Sequence, residues 1–306
     1  MSAPPRPPGA LTFVAGTGTR AEAETRFGPL LYPRTPAQAW HRPLAEPLVA
    51  VTALRDGQPV GVLLADREPG SARGDIRTLF VVPSERRRGI ATALVARAEV
   101  ELVRRGVREL QIAVRTDWPM HGAALALVAA RGWDEARTAR HLVKCDTEAM
   151  RGAAWLAAAE MPLPDGYTTA PWTSLTDADR QAMRDEQARA PWFPAILSPF
   201  QMEDRIDPDF SIALRRGDTI AGWVIGHRLR ADVVQYTTVF TRAGVPRAYV
   251  VRLMAMASQR QIDARVPTAI FSIEADNAAA FAFVRKRLAP HVTAPVEIRV
   301  ARHRLG

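Results

Sequence analysis

The sequence contains very little cysteine and almost no lysine. Its one cysteine, Cys145, excludes an internal disulfide. No stretch reaches the roughly 18 uninterrupted apolar residues of a membrane-spanning helix. The six histidines are scattered and lack the spacing of a Cys/His metal site. We therefore expect no metal and no membrane partner, and a cytoplasmic location as the default.

The formal charge of +9 comes from arginine, because Lys144 and Lys286 are the only lysines. A basic surface can bind nucleic acid, but no recognition helix, zinc spacing or aromatic-basic alternation accompanies the charge. We therefore expect no nucleic-acid partner and favour an anionic small molecule or an acidic protein. Residues 1–10 are rich in proline without an apolar run, which predicts a disordered tail and not a signal peptide.

Length and repetition indicate two domains. The chain has 306 residues, of which 47% are hydrophobic, enough for two cores of ordinary size. The strand-turn-strand pattern of residues 53–61 recurs in residues 213–222, and each copy continues with a β-rich run, a long helical stretch, another strand and an alanine-rich helix. A repeat this long indicates domain duplication. The predicted boundaries are 11–146 for the first domain, 147–164 for a helical linker and 165–306 for the second domain.

One segment indicates anion binding. An apolar strand ends at Val82, a basic loop containing Gly89 follows, and an amphipathic helix begins at Ile90. A helix start has unpaired N–H groups and the positive end of the helix dipole, and glycine lets the backbone approach a ligand. Forked donors suited to phosphate oxygens precede the helix at Arg86, Arg87 and Arg88. The segment therefore predicts a pyrophosphate site.

The run Arg86 to Ala91 resembles the acetyl-CoA-binding signature of the GCN5-related N-acetyltransferase (GNAT) superfamily, Arg/Gln-x-x-Gly-x-Gly/Ala. The strand predicted over residues 109–114 and the short helix ending at Gly132-Trp133 are also similar to that family. The resemblance is strong for the first half and weak for the second. It implies an α/β fold of two tandem GNAT-like domains, each a mixed, mostly antiparallel sheet flanked by helices.

The resemblance also implies a donor and the residues that hold it. The donor would be acetyl-CoA, another acyl-CoA or a carrier-protein phosphopantetheine thioester. In the family, a splayed fourth strand and the loop after it bind the donor. Carried over, the donor-binding residues are Phe80, Val81, Val82, Arg86, Arg87, Arg88, Gly89, Ile90, Ala91 and Thr92.

The proton-transfer residues of the family are missing. Val128 stands where a tyrosine acid is frequent, and Arg77 stands where a glutamate base is common. His121 occupies the place of an asparagine at the start of the last helix. It could act as the base, with Asp117 to orient its ring. Alternatively, His121 is a surface residue beside a helix cap.

The second copy has a changed phosphate loop. Aligned on the hairpins, Pro246 removes one N–H donor and Tyr249 replaces the small Ala91. We expect this half not to bind the cofactor, although Asn277 and Ala280 keep the family's Asn-x-x-Ala helix start.

Aromatic and charged residues of the second half could face an acceptor. Trp192 and Phe193 are predicted to bind substrate as a lid, or alternatively to fill a core. Other candidates for proton transfer or for binding a cationic acceptor, each also explicable as a surface group, are His227, Glu274, Asp276, Glu203 and Asp204.

Three functions remain open from the sequence. The first is transfer of an acetyl or acyl group to an amine or hydroxyl of a small molecule, for example in specialised metabolism. The second is a non-catalytic acyl-CoA sensor or scaffold. The third is an acyltransferase whose donor is bound to an acidic acyl carrier protein.

Overall fold

The computed structural model describes residues 9–27 and 47–306. Most of the predicted tail, residues 1–10, therefore lies outside the described residues. The chain forms two compact units: unit 1 contains Met1–Thr138 and Ile298–Gly306, and unit 2 contains Ala139–Glu297. Within the described residues, no helix is both long and apolar enough to cross a membrane.

Unit 1 is a mixed sheet with helices on both faces. Its helices are α1 (Arg20–Phe27), α2 (Ile90–Val103) and α3 (His121–Ala130). Its strands are β1 (Leu11–Gly18), β2 (Leu48–Arg55), β3 (Gln58–Arg67), β4 (Arg73–Val81), β5 (Glu109–Arg115) and the second half of β12 (Val292–Arg304). They lie in that order across the sheet. All neighbouring pairs are antiparallel except β4 with β5.

The two faces of this sheet differ in what covers them. The apolar side of α2, including the fully buried Leu94, Ala98 and Leu102, packs on one face. Ala23 of α1 packs on the other face together with Leu48. The helix therefore forms where the four-residue apolar spacing predicted it, because burying that side stabilises it.

Strands β4 and β5 separate part-way along their length. They pair in parallel over only four residues, from Arg73 opposite Glu109 to Ile76 opposite Ile112. Beyond that point β4 stays paired with β3, whereas β5 pairs with β12. A wedge-shaped opening, which we call the splay, therefore lies between the second half of β4 and the end of β5.

Unit 2 repeats this plan. Its helices are α4 (Thr147–Met150), α5 (Asp177–Arg189), α6 (Ala248–Asp263) and α7 (Ala278–Phe283). Its sheet contains the first half of β12, then β6 (Arg137–Asp146), β11 (Thr268–Glu274), β10 (Val233–Thr241), β9 (Thr219–Arg230), β8 (Ile212–Arg216) and β7 (Tyr167–Pro171). Again one pair is parallel over four residues, β10 with β11. The predicted fold class, mixed and mostly antiparallel sheets with flanking helices, is confirmed.

The internal repeat is visible in detail. Hairpins β2–β3 and β8–β9 turn at glycines with positive φ, Gly57 at 77° and Gly217 at 55°. Both hairpins carry a register shift just before the turn, after Ala53 and after Leu214. Positive φ suits the tight turns that connect such strands.

The units exchange their last strands. Strand β6 follows the first half in sequence, yet its residues from 139 onward pair with β11 in unit 2. Ile298–Arg304, at the end of the chain, pair with β5 in unit 1. The contacts thus divide the chain differently from the predicted boundaries 11–146 and 165–306. The predicted linker, residues 147–164, lies inside unit 2, where its short helices contain the buried Met150 and Trp155.

Candidate functional site

The loop between β4 and α2, residues 82–92, contains most of the residues that the sequence predicts to bind the donor, and we call it the donor loop. Gly89 has φ 76° and directly precedes α2, and Arg87 has φ 64°. Within the described residues, no group accepts a hydrogen bond from the backbone N–H groups of residues 87–92; the first such bond of the helix runs from Ala93 to Gly89. Consecutive unpaired amides at the start of a helix suit a phosphate or another anion. We call residues 87–92 the amide nest.

The three arginines of the donor loop have different partners. Arg87 is exposed, and no described residue pairs with it. Arg88 lies 3.3 Å from Glu85, which also pairs with Arg55 at 2.8 Å. The hydrogen bond from Arg55 lowers the pKa of Glu85 and keeps it ionised. Arg87 is therefore the arginine that can turn to a phosphate without breaking a contact seen here.

Arg86 turns back across the strand end. Its Nε donates to the Val81 carbonyl at 3.0 Å, and its Nη1 lies 3.7 Å from the sulfur of Met120. Met120 directly precedes α3. The donor loop is therefore in contact with the start of the helix that carries His121.

The register of β4 decides which of its amides face the splay. The Val82 N–H donates to Val60 on β3 at 2.9 Å. Because alternate residues of a strand point their N–H groups to opposite neighbours, Phe80 also faces β3, and Leu79 and Val81 face the splay. Of the predicted strand residues Phe80, Val81 and Val82, Val81 is the one whose N–H group faces the splay, and the N–H group of Leu79 faces it as well.

His121 begins α3 with its ring held by the backbone. Its Nδ1 lies 2.9 Å from the Trp118 carbonyl, which also accepts the His121 N–H at 3.0 Å. A carbonyl oxygen can only accept, so Nδ1 carries a proton, and in the neutral ring the lone pair is then on Nε2. His121 is therefore oriented as a proton acceptor.

Asp117, predicted to orient the ring of His121, is paired with Arg115. It receives two hydrogen bonds from Arg115, Nε to Oδ1 at 2.9 Å and Nη2 to Oδ2 at 2.7 Å. The ring of His121 contacts the Trp118 carbonyl, one residue further along the turn. Asp117 thus braces the turn that leads to α3.

Comparison with known proteins agrees with this geometry. The model of the acetyltransferase (GNAT) family matches residues 20–125. A tandem GNAT protein from the clavulanic acid biosynthesis pathway matches the fold with a TM-score of 0.67 at 19% identity, covering 97% of this chain and 99% of that one. Residues 20–125 form a GNAT domain, and the chain has the fold of a tandem GNAT protein.

Two further relatives show the same architecture or sequence. A GCN5-related N-acetyltransferase from Sphaerobacter thermophilus has a TM-score of 0.57 at 20% identity, covering 96% of each chain. The mycothiol acetyltransferase of Clavibacter michiganensis subsp. michiganensis (strain NCPPB 382) is 28% identical over 170 residues, 49% of this chain. That match spans 51% of the relative, about half its length.

Unit 1 contains residues 20–125, and we call it the GNAT unit; it departs from the family pattern at both proton-transfer positions. Val128 is 2% exposed and belongs to the core beneath α3. Arg77 is held in a two-point ion pair with Asp66, which is completely buried. Neither position can supply the acid or base that the family frequently has there.

A cavity of about 600 Å³ lies between β1, β2 and α1 of the GNAT unit. Its wall includes Leu48 and Ala50, which pack in the same cluster as Phe80 and Val82. The cavity therefore lies on the α1 face of the sheet, the face on which Phe80 and Val82 at the end of β4 also pack. None of its lining residues belongs to the amide nest.

The corresponding loop of unit 2 differs as the sequence predicts. Pro246 has no N–H, and the N–H groups of Tyr249 and Val250 bond to Pro246 and Arg247. The Tyr249 ring is 8% exposed, and its hydroxyl contacts the Pro162 carbonyl at 3.4 Å. This loop lacks an open row of amides. The Asn277 side chain accepts the Ala280 N–H at 3.0 Å, so the predicted helix start is present.

The predicted aromatic lid is core. Phe193 is 5% exposed, and both Trp192 and Phe193 pack edge-on against Trp223 at 5.5 and 5.1 Å. The guanidinium of Arg242 lies 3.5 Å from the Trp192 ring. Phe193 is a buried member of the hydrophobic cluster around Trp223, and the partly buried Trp192 packs against it, which agrees with the alternative that the two residues fill a core.

The remaining polar candidates of unit 2 have structural partners. Glu203 pairs with Arg180 and Arg184, and Glu274 pairs with Arg140. Asp204 lies 3.5 Å from Arg205. His227 is 2% exposed between Gln201 and Thr237. Asp276 offers its carbonyl to the Ala278 N–H.

Cys145 is fully buried, which raises its pKa to about 12 and leaves it unreactive. No group of metal ligands occurs among the described residues.

Sequence reasoning missed four contributors to the site. They are the Leu79 amide, Glu85, the Trp118 carbonyl and Met120. The alternation of β4 could have indicated Leu79, given the register. Met120 gave no signal, because an exposed methionine before a helix has no sequence pattern of its own.

Proposed function

We propose that the GNAT unit transfers an acyl group from acetyl-CoA, or from another phosphopantetheine thioester, to an amine or hydroxyl of a small molecule. One observation carries the proposal: the amide nest opens beside a splay whose free strand amides come from Leu79 and Val81. Such an arrangement suits a diphosphate followed by an extended arm. The exposed Arg87 adds a cation that suits the same ligand.

The residues of this unit would divide the work as follows. The amide nest holds the diphosphate, and the Leu79 and Val81 N–H groups lie where they can donate to an extended arm or to a thioester oxygen. The donor itself supplies the acyl group and leaves as a thiolate. His121 accepts a proton from the acceptor at Nε2, so that a neutral amine can attack. Positioning contributes the rest, since well-oriented reactants have high effective molarity.

The acceptor would be a small molecule. The cavity beside β1, β2 and α1, about 600 Å³, is within the usual size of small-ligand sites. The relative from Clavibacter is named an acetyltransferase, which favours acetyl as the group transferred. We propose acetyl-CoA as the first donor to test.

Calorimetry with coenzyme A and acetyl-CoA tests the proposal, followed by thiol release from acetyl-CoA with and without a panel of small amines. We expect binding with one site per chain and amine-dependent thiol release. The matched control is Arg247→Glu in the loop of unit 2, which should change neither result. Absence of binding by coenzyme A and by phosphopantetheinylated carrier protein would contradict the proposal.

A non-catalytic acyl-CoA sensor is the second candidate. The buried Val128 and the Arg77–Asp66 ion pair favour it, because they stand where the family frequently has its acid and base. Donor binding without amine-dependent thiol release supports this function.

An acyltransferase with a carrier-bound donor is the third candidate. The arginine-rich charge of the chain favours it, because an acyl carrier protein is acidic. Tighter binding of an acylated acidic carrier protein than of acetyl-CoA supports this function.

A further inference from the structure

The Arg86 side chain connects the two walls of the splay. On one side its Nε donates to the carbonyl of Val81, the last residue of β4, at 3.0 Å. On the other side its Nη1 lies 3.7 Å from the sulfur of Met120, at the start of the helix that follows β5. Its guanidinium also lies 5.9 Å from the Phe80 ring.

The carbonyl that Arg86 occupies faces the opening. Because the Val82 N–H is paired with Val60, the groups of Val81 point away from β3. On that side the pairing with β5 has ended at Ile76. Without the Arg86 contact, the Val81 carbonyl would be an acceptor open to a ligand's amide.

We propose that Arg86 is a latch across the splay, held by Val81 and Met120, which must release before the pantetheine arm of the donor can enter. This inference rests on the proposed function. On entry, an amide of the arm replaces Arg86 at the Val81 carbonyl, and the freed guanidinium turns to the diphosphate beside the amide nest. The latch therefore couples occupancy of the splay to neutralisation of the phosphate charge.

The variant Met120→Ala tests the latch without altering the donor loop. Met120 is 41% exposed, so the substitution removes no core contact. Stopped-flow tryptophan fluorescence measures association of coenzyme A, since Trp118 lies two residues away. We expect the association rate to rise about threefold to tenfold, the effect of losing one modest contact that closes the path. The matched control, Ile196→Ala at an exposed residue of unit 2, should keep the original rate.

A second measurement follows Arg86 itself. In protein labelled with 15N-arginine, the Arg86 Nε–H signal should exchange slowly with solvent in the free protein, faster in Met120→Ala, and shift when coenzyme A is added. Binding of coenzyme A with equal association rates in the original protein and in Met120→Ala would overturn the latch alone. If coenzyme A bound to neither protein, the proposed function and the latch would both fail.

Discussion

Arg77 and Asp66 meet through two hydrogen bonds, Nε to Oδ1 at 2.8 Å and Nη2 to Oδ2 at 3.0 Å, in the sheet of the GNAT unit. Asp66 is fully buried, and the Arg77 side chain is 8% exposed. The pair stands beside the point where β4 leaves β5, since the parallel pairing ends at Ile76. The pair therefore joins β4 to β3 beside the narrow end of the splay.

Breaking this pair from one side should destabilise the protein strongly. Arg77→Met leaves the Asp66 carboxylate buried without its main partner, and we expect a loss of about 3–5 kcal/mol in the free energy of unfolding. Urea denaturation measures it. The double variant Arg77→Met/Asp66→Leu should recover most of the loss, because the other carboxylate beside Arg77, Asp75, is partly exposed and keeps its hydrogen bond from Gln111. A single variant as stable as the original protein would show that the pair does not hold the sheet.

Replacing His121 should affect the chemical step and not donor binding. His121→Gln keeps a polar side chain but removes the Nε2 base, so we expect kcat to fall by about 10²- to 10⁴-fold. The dissociation constant of coenzyme A should stay within twofold. Asp117→Asn is the control, because Asp117 pairs with Arg115 beside the turn that leads to α3. Equal losses in both variants would indicate that the turn, and not the base, matters.

The amide nest should respond to a change of backbone preference. At Gly89 an added Cβ meets no atom within 4 Å, but φ is 76°, which β-branched residues rarely adopt. Gly89→Val should therefore weaken coenzyme A binding at least tenfold, about 1.4 kcal/mol, without a steric clash. Arg86→Glu and Arg88→Glu together should do the same through charge. Calorimetry measures both, and Arg247→Glu in unit 2 should leave the affinity unchanged.

His227 predicts a pH dependence of stability. Burial lowers the pKa of His227 below the ordinary histidine value of about 6.5, so the unfolded chain binds this proton more readily than the folded one. The contribution of this group is therefore present above pH 6.5 and is lost as the pH falls towards the lower pKa of the folded state. The slope is at most about 1.4 kcal/mol per pH unit. Urea denaturation between pH 7.5 and 5 should show a flatter profile for His227→Gln; an identical profile would contradict the assignment.

The sequence predicts the local parts of this fold and misses the long-range ones. The donor loop, the hairpin turns at Gly57 and Gly217 and the helix start at Asn277 follow from residue types at short spacing. The pairing partners of β6 and β12 cannot be predicted in this way, because a strand with alternating apolar residues suits either sheet equally well. Trp192 and Phe193 were ambiguous for the same reason: an aromatic side chain serves a core or a site, and only the packing decides.

The strand exchange gives the second half a reason to persist. The loop of unit 2 lacks the open amides, yet residues 298–304 complete the sheet of the GNAT unit beside β5. In turn, residues 139–146 pair with β11 in unit 2. A gene shortened to the first repeat would encode a sheet in which β5 is an exposed edge strand and β6 has no partner strand. Exposed, unpaired strands of this kind promote aggregation. Mutation can thus erase the chemistry of the second repeat, whereas deletion of the repeat would dismantle the first.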